Sequence, residues 1–319
     1  MPGGARRADS CGMDDRRWIR RLLTVGAAMT ALCLSGSTAA VAAGSRAPST
    51  AAPAPVARSA WDEPALVHPV AVALTNSDRN LQLRQSQDYI LVCGRGVTRL
   101  SSTLSVWGGH NVVLQDCDLS VTRDWVAYFH DQTGTLWIHD VHFGGRRLTG
   151  GIQLQEPGAT VVMRDVLFDE VYGSYTTNHA ELVQTWAGPK RLMIDGLTGA
   201  DEYQGLFLLP NQWYTGPAPT VFDLRHIDID NSQGGYALWL ADVNGRIRTW
   251  NVQDTYVVPN PSKLWRGWWL WPKPESGSTT WNNVIAGRPP GGHYVRATPG
   301  GATGVDEHVT PPMLAGERS

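Results

Sequence analysis

His179, Glu181 and Tyr203 bring an imidazole, a carboxylate and a phenol within 24 residues of one another along the chain. That set is acid–base equipment: the carboxylate takes or gives a proton, the imidazole exchanges with it, and the phenol protonates a leaving oxygen. The same residues also suit a hydrogen-bonded cluster that tethers loop 171–178, or substrate binding without catalysis. Any of these uses requires a chain that returns to the same place about every 24 residues.

The sequence carries such a period. Seven similar apolar-rich stretches, VVLQDCDL, LWIHDVHF, VVMRDVLF, RLMIDGLT, FDLRHIDI, RTWNVQDT and TTWNNVIA, centre on Asp116, Asp140, Asp165, Asp195, His226, Asn251 and Asn283. A second set, LSVWGG, VAYFHD, GIQLQE, ELVQTW, LFLLPN, ALWLAD and WWLWPK, precedes them one by one. Short β-branched and aromatic runs bounded by Gly, Pro, Asn and Asp are strands, and a period of this length means stacked repeats. The expectation is an all-β fold, a single-stranded right-handed parallel β-helix of about seven to eight coils. The repeating Asp and Asn read as turn residues bonding nearby backbone, not as a cation row.

Side chains alternate across a strand. Aligning the coils on apolar pairs turns Ile152/Leu154, Leu182/Gln184, Leu206/Leu208, Leu238/Leu240 and Trp268/Leu270 inward. Glu181 then faces outward between Gly151 and Gly205, with His179 and Tyr203 beside it. Trp239, Trp269 and Trp271, with Trp186 and Trp213 in adjacent turns, are predicted to line a shallow groove whose indoles stack on sugar rings. Loops folded over this face would bury the same rings. Gln184 is either an inward ladder rung or is turned out beside Glu181 by a bulge. A one-residue slip would turn Glu181 inward.

Residues 1–42 read as a secretory signal peptide: Arg16, Arg17, Arg20 and Arg21, then an apolar run, then small residues. Residues 43–60 are a Pro/Ala-rich linker, 61–88 an N-terminal cap, 89–287 the β-helix and 288–319 a C-terminal tail or cap. Loss of the signal removes six Arg and three Asp, leaving 21 basic and 26 acidic residues, a net charge of about −5. Such a chain is a poor nucleic-acid binder, and no second segment is long and apolar enough for a membrane. Two cysteines remain, Cys93 and Cys117, one coil apart; a disulfide and a ladder of buried thiols both fit. Phosphate loops, zinc-type His/Cys spacing and G-x-S-x-G are absent.

The stretches YILVCGRGV, LSVWGGHNVVLQDCDL, HAELVQTWAGPKRLMIDGLTG and YQGLFLLPNQW resemble secreted bacterial β-helix proteins of the pectate-lyase-like superfamily, over roughly residues 80–290. In the subgroup concerned, His179, Gln184, Tyr203 and Gln204 match the pattern, while Glu181 stands where Asp is usual. Polygalacturonase and pectate-lyase signatures are missing, so no pectinolytic mechanism carries over. The resemblance implies the fold; the outward columns give the first expectation of function, a secreted, extracellular, carbohydrate-active protein, a polysaccharide lyase or a glycoside hydrolase, with His179, Glu181 and Tyr203 as catalytic residues. Gln184, Gln204, Trp186, Trp213, Trp239, Trp269 and Trp271 would hold the glycan. A lyase would need a cation at the uronate, from Arg146, Arg147 or Lys190. A hydrolase would need a second carboxylate, with Asp131 and Asp242 as distant candidates. The alternatives are a non-catalytic glycan or cell-wall binder and a rigid surface spacer. A monomer with a polysaccharide or other glycan as partner, and with no cofactor or metal, completes the expectation.

Overall fold

The structure is a computed structural model that describes residues 59–304, apart from 78, 79, 95, 242–246, 299 and 300. The signal peptide, most of the linker, Asp242 and the tail beyond 304 lie outside the described residues. Two parallel sheets dominate. The first holds β1 (Val70–Ala73), β3 (Tyr89–Val92), β4 (Val97–Arg99), β6 (Val112–Thr122), β8 (Thr135–Arg146), β10 (Thr160–Phe168), β12 (Arg191–Ala200), β14 (Val221–Asn231), β16 (Thr249–Pro259) and β18 (Val284–Ala286). The second holds β2 (Asn80–Leu83), β5 (Leu104–Gly108), β7 (Trp125–His130), β9 (Gly150–Gln155), β11 (Glu181–Ala187), β13 (Gln204–Leu208), β15 (Leu238–Leu240) and β17 (Leu270–Trp271). From β5 onward the chain alternates between the sheets, and each strand pairs with its equivalent in the neighbouring repeat. The fold is all-β and compatible with a parallel β-helix. A short antiparallel pair, β19 (Arg296–Thr298) and β20 (Gly301–Gly304), follows.

Each long strand of the first sheet is two strands joined at a corner. Asp116, Asp140, Asp165, His226 and Asp254 share a register position and have φ of 51°, 55°, 52°, 48° and 43°; Gly196 fills the same position at 85°. Asp and Gly tolerate this left-handed backbone. The corner consumes one residue, so the inward parity changes across it. Leu114 and Cys117 both face the core, as do Ile138 and Val141, and Met163 and Val166. Asp116, Asp140 and Asp165 of the Asp series do sit at the turn. Gly196 and Asp254, not Asp195 and Asn251, occupy the corner, because apolar burial on either side fixes the register. Burial, with Asp116 alongside, pushes the Asp140 carboxyl up to about 6.

The core runs between the sheets as fully buried aliphatic and aromatic rungs, among them Leu104, Phe129, Phe143, Leu154, Leu208 and Phe222. Trp61 and Leu66 pack on an outer apolar column of Val113, Trp137, Val162 and Met193. The Arg225 guanidinium sits 4.9 Å over the Trp61 ring. Residues 288–298 run along the outer face beyond the corner, where Arg288 pairs with Asp230, His293 with Asp228, and the Val295 N–H donates to Thr198 Oγ1. Trp269 and Trp281, each 1% exposed, close the C-terminal end.

Cys93 and Cys117 are joined as a disulfide, Cα to Cα 5.5 Å, tying β6 to the segment after β3. Closing a loop of this length constrains the unfolded chain by about 3 kcal/mol. Cys93→Ser with Cys117→Ser should therefore lower the thermal midpoint by about 6–12 °C. Scanning calorimetry checks this, and an unchanged midpoint would contradict it.

Candidate functional site

The outer face of the second sheet gathers the groups best suited to a ligand. Its register runs Ser105, Tyr128, Gln153, Gln184, Phe207, Trp239 and Trp271 in one column. Trp107, His130 and Gln155 form the next. A bulge between Thr185 and Ala187 adds Trp186 to β11; bulges of this kind re-aim a side chain, and Trp186 lands 6.3 Å from Tyr128.

Two aromatic zones result. At one end Trp239 stacks on Trp271 (5.0 Å between centroids, 20°), with Phe207 at 5.6 Å and the edge of Tyr236 at 4.6 Å. At the other, Trp107 stacks on His130 at 4.0 Å, Tyr128 meets both edge-on, and Trp186 contacts Trp213, itself 61% exposed. Amides floor the space between. Gln153 Nε2 donates to Gln184 Oε1 at 3.3 Å, and the Tyr128 hydroxyl donates to Gln155 Oε1 at 2.8 Å.

Titratable groups collect at the second zone. His130 Nδ1 lies 2.7 Å from Asp131 Oδ2, yet off the line of a hydrogen bond, since that nitrogen has no aligned partner. Burial, then the charges of Asp131 and Glu156, push the Tyr128 phenol up to about 12. Beneath them Glu156 is fully buried, and burial holds its carboxyl well above the ordinary range.

The structure distributes the expected site residues unevenly. Trp186, Trp213, Trp239, Trp271 and Gln184 lie on this face. Trp269 does not; it is 1% exposed beneath Arg266. His179 and Tyr203 do meet, with rings 5.0 Å apart and Tyr175 on the far side of the imidazole at 5.9 Å. His179 Nε2 also lies 3.3 Å from the Tyr175 carbonyl.

Glu181 is not exposed beside them: it is 1% exposed, and β11 aligns through Val183 with Ile152 and Leu206, one residue away from the register expected on apolar pairs. Leu182, not Glu181, lies between Gly151 and Gly205; Phe168 and Ile229 close over those two glycines. Gln204, the register partner of Glu181, is 2% exposed. Arg146 and Arg147 line a cleft of about 370 Å³ with Asp169, Glu170 and Tyr172.

Sequence reasoning missed Tyr128, His130, Gln153, Gln155 and Trp107. The signal was present: Trp107, His130 and Gln155 each close a strand of the second set, in VWGG, YFHD and QLQE. Among the described residues, no three His, Cys, Asp or Glu side chains are grouped to hold a metal ion. No family model, curated protein or solved structure matches this chain.

Proposed function

We propose that this is a secreted, carbohydrate-active protein of right-handed β-helix type, similar to the pectate-lyase-like superfamily and built of about seven to eight coils. It lays an extracellular glycan along the outer face of the second sheet. The observation that carries this is the single register column running from Tyr128 through Gln153 and Gln184 to Phe207, Trp239 and Trp271. Indoles offer flat apolar area to the CH faces of sugar rings, and carboxamides offer donors and acceptors to hydroxyls. Parallel strands repeat at about 4.8 Å, so side chains on successive rungs stand roughly one sugar unit apart.

Affinity electrophoresis in gels containing acidic and neutral polysaccharides tests the reading. At least one glycan should retard the protein. Trp239→Ala and Trp271→Ala should each weaken that retardation about tenfold, the worth of one aromatic stacking contact. Migration unaffected by every glycan, or unaltered in the double variant, counts against it.

A second reading, cleavage of the bound chain by a lyase or hydrolase, is favoured by the grouping of Tyr128, His130 and Asp131 at one end of the strip. These groups replace Glu181 as the acid–base candidates. Product mass from the retarded glycan, with Tyr128→Phe alongside, tests it: a catalytic phenol costs about 10²–10⁴ in rate when removed.

A further inference from the structure

The turn that leads into β17 leaves large apolar groups in water. Leu264, Trp265 and Trp268 are 68%, 49% and 54% exposed. A lone exposed apolar residue needs no explanation, but here the two indoles meet, centroids 6.2 Å apart at 75°. The turn is ordered by its own backbone, Lys263 N–H donating to the Asn260 carbonyl at 2.8 Å and Trp268 N–H to the Trp265 carbonyl at 2.9 Å. β17 is the last strand of the second sheet, so no further rung of that sheet covers it. Exposed apolar surface held in one shape marks a contact.

The charge around it has one sign. Residues 255–274 hold Lys263, Arg266 and Lys273 and no Asp or Glu, in a chain whose mature part is acidic. Lys273 Nζ lies 5.5 Å over the Trp265 ring. Lys263 Nζ donates to the Gly234 carbonyl at 3.3 Å, and Arg266 Nη2 to the Trp281 carbonyl at 2.8 Å. These partners are neutral, and among the described residues the arginines and lysines in ion pairs are Arg225 and Arg288. Glu275, the next carboxylate along the chain, sits against Gly267 and offsets one of the three charges.

Sugar stacking needs an open indole face. Lys273 takes one face of Trp265, Trp268 stands steeply to it, and the most exposed group is the aliphatic Leu264. Lipid makes better use of this set. Indoles favour the membrane interface, where the ring is apolar and the N–H stays wet, and basic residues beside them are drawn to anionic headgroups.

We propose that this turn docks the protein on an anionic lipid surface. Leu264, Trp265 and Trp268 enter the boundary between headgroups and acyl chains, and Lys263, Arg266 and Lys273 face the lipid phosphates. Such contact is peripheral; among the described residues no helix is long and apolar enough to cross a membrane. The surface is separate from the glycan strip, whose last indole, Trp271, lies two residues before Lys273.

The test sediments the full mature chain with vesicles of phosphatidylcholine alone, or of equal parts phosphatidylcholine and phosphatidylglycerol. The mixed vesicles should carry the protein down and the neutral ones should not. Raising the salt from about 0.1 to 0.5 M should release it. Trp265→Ser with Trp268→Ser should lower the partition coefficient at least about tenfold. Lys273→Gln should lower it about fivefold, the worth of one basic residue at an anionic surface. Circular dichroism of both variants should match the parent, and glycan retardation should be unchanged. The proposal is overturned if mixed vesicles leave the protein in solution, or if both variants bind them as the parent does. It is equally overturned if the tryptophan pair proves to be needed for glycan retardation, or for self-association seen by sedimentation velocity, and not for vesicle binding.

Discussion

Glu156→Gln should match the parent protein in stability near pH 4 and exceed it increasingly as pH rises. Glu156 is fully buried; it takes one hydrogen bond, from the Gln132 backbone N–H at 2.9 Å to Oε2, while Oε1 has no partner. Gln132 Oε1 beside it also lacks a donor, its amide nitrogen being spent on the carbonyls of Val106, Gly108 and His130. A neutral carboxyl fits this place, and burial raises its folded pKa well above the ordinary value. The folded state therefore binds more protons than the unfolded state over the interval between the two values. By linkage, the stability this group contributes is complete below the unfolded value and is lost as pH rises through the folded one. Glutamine keeps a hydrogen donor and cannot ionise. The gap should widen by up to about 1.4 kcal/mol per pH unit above the ordinary glutamate range, or about 2–4 °C in midpoint per kcal/mol. Thermal melts from about pH 4 to 8 check it. Parallel pH profiles for the two proteins would show that Glu156 is ionised when folded. Asp131, also nearby, raises the Glu156 value further, so the same experiment reports on the charge at one end of the glycan strip.

The first sheet was legible because its corners are written chemically. Leu114-Gln115-Asp116-Cys117, Ile138-His139-Asp140-Val141 and Met163-Arg164-Asp165-Val166 repeat one apolar–polar–Asp–apolar pattern, and the left-handed corner requires its third residue. The pattern weakens at Gly196 and Asp254, where glycine, or a second nearby polar residue, shifts the eye by one or three positions. Strands β1 and β2 escaped notice because they are four residues long and mostly exposed or half-buried. β1 (VAVA) lacks the apolar alternation that announces a half-buried strand, and in β2 (NLQL) it lasts only four residues.

The candidate site was less legible, and β11 is the reason. Ala180, Leu182 and Val183 are all fully buried. Near the corner Ala180, Leu182 and Val183 all belong to the core that also holds Phe168 and Ile229, so apolarity stops reporting direction. Pairing Leu182 with Ile152 was as good on the sequence as pairing Val183 with it. The Trp186 bulge then restores Trp186 to the outer face, which let a shifted register still place a tryptophan correctly. At β17 only Leu270 and Trp271 remain paired, and the preceding turn Arg266–Trp268 carries Trp268 into solvent while Trp269 is buried.

That ambiguity has a direct test with a large expected effect. Val183→Asp should unfold the protein or cost several kcal/mol, whereas Gln184→Asp should fold normally. Val183 is fully buried between Ile152 and Leu206 on the neighbouring rungs. A carboxylate there has no partner and cannot reach water, and an unpaired buried ion carries a penalty of several kcal/mol. Gln184 is 8% exposed but lies in the outer column beside Gln153 and Phe207, so an aspartate there loses one amide contact and remains among polar and half-exposed side chains instead of in the core. The register expected from apolar pairs would reverse the two outcomes, with Gln184 inward and Val183 outward. Leu182→Asp does not discriminate, since that position is buried in either alignment. Far-ultraviolet circular dichroism and urea midpoints on the two variants read the answer. A folded Val183→Asp with an unfolded Gln184→Asp would restore the register expected from apolar pairs and move the acid–base site back to Glu181 beside His179 and Tyr203.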